Sequence, residues 1–430
     1  MLLALPLACS QTVQGIADNA AVSKTGLILL PSKAFNGRDD PANCNVQINI
    51  SHASNGLVTV SGVDQSTTID CSGTGLRCFS VTGVSVIIQN VKFIGNRAMF
   101  PQPDIPAAPS SYESAVPSSD EAFERAHSTA RTVFDTELPN GIDRASFKSD
   151  NSMASHDDRH DPLSSSLFGM KAFLPRASGA SPGAGAADPV VPLAGGCILI
   201  YKSDKVIIQD ASFSNCASSA VGGSVAILSV TTVQVLRSTL TDSLVNVVNS
   251  SYLSQGLDKK ILNEQLSKIP GVVKLPGGVG YGGSLFVVPT YSSGVSIVIK
   301  RCTFRRSQVL AVSKNMYDFS YDPLNAGSFL QGGAIAAFPP VVNQSASNST
   351  GYNLAILESS FTQCVVLNSA VIVPFGEYDV VMGGAISFTD TYPHFSSNNS
   401  KDPTDASDVY PFRSHITLQD VSFSSEFCFS

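Results

Sequence analysis

Residues 195–216 read GGCILIYKSDKVIIQDASFSNC, and residues 222–243 read GGSVAILSVTTVQVLRSTLTDS. Laid over one another 27 residues apart, the two stretches match slot for slot. Each has a Gly-Gly pair, a small residue, a β-branched run, and then a short element centred on Phe213 in the first copy and Leu240 in the second. The second Gly and that slot are 17 residues apart in both copies (Gly196 to Phe213, Gly223 to Leu240). A fixed period of this size is the mark of a solenoid. Within one period, Cys197 to Tyr201 and Val206 to Gln209 read as strands parted by a turn at Ser203-Asp204, and Ser212-Phe213 opens a third. Three short strands per period predict an all-β fold, one coil of a right-handed parallel β-helix. Side chains alternate in and out along a strand, so the Phe slots should stack in one interior column. A coil alone cannot bury its apolar face, and stacking on the next coil supplies the partner.

Three further copies follow: Gly282-Gly283-Ser284-Leu285, Gly332-Gly333-Ala334-Ile335 and Gly383-Gly384-Ala385-Ile386, with Phe slots at Phe304, Phe361 and Phe423. Their Gly-to-Phe distances stretch to 21, 28 and 39 residues. The added length is polar and belongs in loops thrown out from a fixed corner of the coil. Residues 15–98, ending near Phe93, read as the N-terminal coils. Residues 99–191, rich in Pro, Ala, Ser, Asp and Gly, read as a long, low-complexity, disordered insert. Residues 192–430 are the repeats proper, with inserts at 250–280, 339–352 and 390–411. The first of these inserts places Leu253, Leu257, Ile261, Leu262, Leu266 and Ile269 at helical spacing and predicts one short surface helix. The chain stops seven residues past Phe423, inside a coil, and is read as truncated at its C-terminus.

Charged residues make up only 14% of the chain, Trp is absent, and the net charge is −7. Phosphate backbones need a basic face, so no nucleic-acid partner is expected. No run of about 18 apolar residues predicts a transmembrane helix. Residues 1–14 open with a short apolar run ending in small residues, the remnant of a signal peptide, which points to an extracellular or cell-surface protein. Of nine cysteines, eight remain if Cys9 leaves with that leader. Cys71 and Cys78, parted by a Ser-Gly-Thr-Gly turn, are the disulfide candidates. Cys216 and Cys364 share one slot three coils apart, about 14 Å at the usual strand spacing, too far to bond. Cys197, Cys216 and Cys364 are read as buried thiols. Asn-x-Ser/Thr sites occur at Asn49, Asn249, Asn343, Asn348 and Asn398. The last four fall in or beside inserts and are the glycosylation candidates.

The Gly-Gly-Ala-Ile motifs at 332–335 and 383–386, with Phe93-Ile94-Gly95-Asn96, resemble the repeats of the polymorphic outer membrane proteins. The resemblance covers residues 193–430 in five copies and 69–96 in part. It implies a right-handed, pectin-lyase-like β-helix with a surface, adhesin-like role. The Asn slot three residues after Phe is Asn96 once, and then Cys216, Ser243, Ser307, Cys364 and Glu426.

Carbohydrate-cleaving chemistry on such a stack needs carboxylates gathered on one face, as acid and base. Asp39-Asp40 lies in an N-terminal turn and Asp157-Asp158 in the low-complexity insert. His156 and His160 have the spacing of metal ligands on a helix but sit in a polar tract without apolar anchors. Lys300-Arg301-Cys302-Thr303-Phe304-Arg305-Arg306 is the one basic cluster. With Phe304 turned inward, Arg301 and Arg305 share an outward face, and Arg301, Arg305 and Arg306 become the glycan-contact candidates. No catalytic residue, cofactor or metal is assigned. The expectation is a non-enzymatic scaffold presenting loops to an extracellular glycan or protein surface. The alternative is a carbohydrate-active β-helix protein, a polysaccharide lyase or sugar binder.

Overall fold

The computed structural model describes residues 11–97, 192–247, 279–290, 295–311, 329–338, 350–368, 380–388, 413–424 and 427–429. They belong to a unit formed by Met1–Pro103 and Asp188–Ser430; the second unit, Asp104–Ala187, lies outside the described residues.

Among the described residues the strands form four sheets of thirteen, eight, five and three strands. Their ladders are parallel. The chain visits the sheets in a fixed order and returns in register, an arrangement compatible with a β-helix. One circuit shows the plan. Ile198–Gln209 lies in the large sheet, Ser212–Ser214 in the second and Ala217–Ser218 in the third. In the next circuit Val225–Leu236, Thr239–Thr241 and Leu244–Val247 pair with them, Ile198 opposite Val225, Phe213 opposite Leu240 and Ala217 opposite Leu244. The fourth sheet collects Val279–Tyr281, Phe329–Gln331 and Val380–Met382, the segments just ahead of three Gly-Gly pairs.

Register in the second sheet keeps one slot in file: Phe35, Ile69, Phe93, Phe213, Leu240, Phe304, Phe361 and Phe423. Phe93 stacks on Phe213 with centroids 5.0 Å apart, and Phe304 on Phe361 at 4.8 Å. Both distances match the spacing of neighbouring strands, so each ring meets the next face to face at no cost to the ladder.

Corners depend on single residues in left-handed conformation. Asn90, Asp210, Arg237, Arg301, Glu358 and Asp420, each three residues before the Phe slot, all have φ between 47° and 56°. Asn and Asp tolerate this region through their short polar side chains; Arg and Glu do not gain that help. What holds them there is the next circuit: the Arg237 N–H donates to Lys300 O at 2.9 Å and Arg301 N–H to Leu357 O at 3.0 Å. Gly222 and Gly223 show why the paired glycines recur. Gly222 has φ of 60°, and a Cβ on Gly223 would strike the carbonyl of Gly283 in the next circuit.

Three sequence expectations need correcting. First, no turn separates Tyr201 from Val206. Ile198–Gln209 is one strand bent at Lys202, whose φ is 56°, and Ser229 repeats the bend 27 residues on. Second, the coils do not begin at residue 15. Val13–Ser23 is an α-helix, N-capped by Thr12, whose side chain accepts from Gly15 N. Val13, Ala17 and Ala20 are buried, and Val13 N donates to Asn43 Oδ1 at 3.1 Å, so the helix closes over the first circuit. Residues 13 and 14, assigned to the leader, therefore belong to the folded unit. Third, Cys71 pairs with Cys44, not Cys78, and Cys197 pairs with Cys216, with Cα–Cα distances of 5.8 and 5.4 Å. Cys78, Cys302 and Cys364 keep buried thiols. The short Cys71–Cys78 loop lost to a partner in the neighbouring circuit, because Cys44 comes to rest beside the end of the Thr68–Asp70 strand, which Cys71 follows.

The second disulfide belongs to a series. The slot after Gly-Gly faces the slot three residues after Phe across the interior of one circuit. Cys197 and Cys216 fill the pair once. Next come Ser224 and Ser243, with Oγ atoms 2.6 Å apart, and then Ser284 and Ser307 at 2.5 Å. Ala334 and Cys364 occupy the two slots in the following circuit. All are buried. A buried hydroxyl must find a partner, and another hydroxyl in the facing slot supplies it.

A second core lies outside the first half of the large sheet. Leu199, Tyr201, Phe286 and Phe338 point away from the main interior and pack with Tyr281, whose ring centroid is 4.6 Å from that of Phe338. This covers one outer face of the stack. The outer face of the second sheet has no such cover among the described residues.

Candidate functional site

Outward slots flank each Phe on the second sheet. From Ser212–Ser214 through Thr239–Thr241, Thr303–Arg305, Ser360–Thr362 and Ser422–Ser424, every outward slot holds a hydroxyl except Arg305. Parallel register sets the two ranks of hydroxyls about 4.8 Å apart along the stack, and alternation sets them about 6.6 Å apart across it. Ser212, Ser214, Thr239, Thr241, Ser360 and Thr362 are half-buried, while Thr303, Ser422 and Ser424 are exposed. Contacts within the face are long: Ser360 Oγ donates to Thr303 Oγ1 at 3.4 Å, and Thr241 Oγ1 to Phe213 O at 3.3 Å.

The basic cluster does not form one patch. Arg301 and Arg306 sit on the two left-handed corners at opposite ends of Thr303–Arg305, and each is claimed by a carboxylate in an adjacent circuit. Arg301 Nε reaches Glu358 Oε2 at 2.5 Å, with Lys300 Nζ 3.0 Å from Oε1. Arg306 makes a two-pronged contact to Asp242, both N···O distances 2.6 Å. Arg237 grips Asp210 in the same way at 2.7 Å. These hydrogen bonds hold the Asp242, Asp210 and Glu358 carboxyls below their usual range, with burial opposing. Arg305 alone stands on the strand face; its charge helps to lower the Asp242 carboxyl, without a direct ion pair among the described residues. The expectation that Arg301 and Arg305 share that face is thus half met.

Arg97, which carried no weight in the sequence, is a buried member of the same corner. Its Nη2 donates to Gln308 Oε1 at 2.8 Å and its Nη1 lies 3.7 Å from Asp242 Oδ1. Burial lowers its pKa and the Asp242 charge opposes that. Its only sequence signal was its position, one residue short of the long insert.

Where the corner meets the hydroxyl face there is an open depression of about 330 Å³, lined by Arg301, Thr303, Glu358, Ser360, Asp420 and Ser422 among others. Asp39 is exposed, and Asp40 caps a short 3-10 helix by accepting from Ala42 N at 2.9 Å, a structural use. Asn49 is exposed and caps the next one, accepting from Ser51 N at 2.9 Å. Asn249, Asn343, Asn348, Asn398, His156, His160, Asp157 and Asp158 lie outside the described residues, as does the surface helix expected in 250–280. No helix among the described residues is long and apolar enough to cross a membrane.

The inserts leave the stack at two places rather than one corner. Segments 248–278, 312–328 and 369–379 run from the third sheet to the fourth. Segments 291–294, 339–349 and 389–412 lie between the two halves of the large sheet. Set against protein-family models, curated proteins and solved structures, the chain matches none.

Proposed function

We propose that the chain is an exported, right-handed parallel β-helix of pectin-lyase-like design whose role is to space and present loops for adhesion to a matrix, glycan or protein surface, without catalysis. The observation that carries this reading is the segregation of variable length. Among the described residues, segments of very different size interrupt the stack at two positions, while the second-sheet strands between them keep register. A rigid repeat tolerates divergent loops on a fixed edge, which is what a presenting scaffold requires. Two disulfides support an oxidising location, and with it the leader reading of the N-terminus and a cell-surface or extracellular site of action. The likeness to polymorphic outer membrane protein repeats rests on the motifs alone.

The lyase alternative loses support because two of its three arginines are already held by carboxylates. The test is adhesion of the chain, made in a secretory host, to immobilised extracellular matrix proteins. It is run beside a variant in which 339–349 and 389–412 are replaced by short Gly-Ser links. The expected result is adhesion by the parent and its loss in the variant, with thermal unfolding unchanged. Equal adhesion by both, or release of unsaturated uronide from a polyuronate, overturns the scaffold reading.

A further inference from the structure

We propose that the outer face of the second sheet, from Ser212–Ser214 to Ser422–Ser424, binds a neutral, extended polysaccharide laid along the axis of the stack. This deepens the glycan-contact reading above and moves it from the inserts to the strands themselves. Register gives the face a translational repeat of about 4.8 Å, so an extended polymer lying along the stack meets the same pair of slots at each circuit. Ser and Thr hydroxyls both donate and accept, and sugar hydroxyls do the same, so either partner can supply the proton at each contact.

Charge decides which glycan. The ions bordering the face are matched in pairs, Asp210 with Arg237, Asp242 with Arg306 and Glu358 with Arg301. An anionic polymer would find Arg305 on the face and Lys92 beside Ser212 at its near end, and would meet Asp420 at the rim. A neutral one gains the hydroxyls and disturbs no ion pair. A protein partner would want a large apolar or aromatic anchor in a pocket; here Phe213, Phe304 and Phe361 are buried, and Phe423 in the last strand is about half exposed. A shallow, open depression between Thr303, Ser360 and Ser422 lies on this face.

The test is affinity electrophoresis of the full chain in gels containing a soluble neutral β-glucan, xylan or polygalacturonate, with sedimentation on cellulose. Retardation by a neutral polymer is expected, unchanged between about 0.05 and 1 M salt because no charge is engaged. Thr239→Lys with Thr241→Lys should weaken it at least about tenfold, and the shape-preserving Thr239→Val with Thr241→Val should weaken it as well. Both should leave thermal unfolding of the chain intact, and the Gly-Ser insert variant should still bind. Retention of full binding by both Thr pairs overturns the proposal. So does binding confined to polygalacturonate that fades with salt and with Arg305→Ala, or no binding to any neutral polymer. Binding lost only in the insert variant overturns it too, while leaving the scaffold reading standing.

Discussion

Asp242 holds two guanidiniums at one corner, Arg306 by a two-pronged hydrogen bond and the buried Arg97 by proximity. Those contacts exist only in the folded chain, so its carboxyl titrates lower there than the roughly 3.9 of an unfolded Asp. A depressed folded pKa gives stability that is complete above the unfolded value and is lost as pH falls through the folded one. Asp242→Asn should cost about 1.5–3 kcal/mol near neutral pH, as loss of a charged hydrogen bond does. It should also flatten the decline in stability below about pH 4. Urea unfolding of both proteins at pH 7 and pH 3 checks this, and parallel losses in the two would show that the charge contributes nothing. None of this was legible in the sequence, because Arg97 and Asp242 are joined across the long insert and neither belongs to a recognisable motif.

At the scale of the element, the facing slots inside each circuit make the strongest claim. Ser224 and Ser243 occupy the positions that Cys197 and Cys216 occupy one circuit earlier, with their Oγ atoms in contact. Ser224→Cys with Ser243→Cys should therefore close a third disulfide. Its value should be about 3 kcal/mol for a loop of this size. Mass spectrometry of the alkylated chain before and after reduction reads the bond, and two alkylated thiols without reduction would refute the equivalence. Here the sequence held the answer in two halves. The small slot after Gly-Gly runs Cys, Ser, Ser, Ala and the slot after Phe runs Cys, Ser, Ser, Cys. Reading each column alone hid the match across them, and the expected Cys71–Cys78 bond failed for the same reason. For Cys71 the partner lay one circuit away, at Cys44, and not along the chain. The Phe column, by contrast, was legible because its period survives inserts of any length.

For the whole molecule, the sequence disclosed the repeat but not its closure. The Val13–Ser23 helix is short and weakly apolar, and only Val13, Ala17 and Ala20, at i, i+4 and i+7, betray the face that covers the first circuit. Removing residues 1–24 should bare the ladder edge at Leu27–Leu30 and Val46–Ile48. Uncovered strand edges invite pairing between molecules. A lower unfolding temperature and a concentration-dependent rise in mass by light scattering are expected; an unchanged monomer would show that the helix is dispensable.

The register that stacks Phe213 on Phe93 also fixes how the molecule would respond to tension. Its ladder hydrogen bonds run along the stack, so a pull at the two ends loads them one circuit at a time, like a zipper, instead of shearing many together. Each 27-residue circuit would then pay out about 90 Å of slack at the usual extended length per residue. The circuit closed by Cys197 and Cys216 is different, because the 19-residue span between them stays tied. It would yield only a short step, and the 27 residues between Cys44 and Cys71 would be held back in the same way.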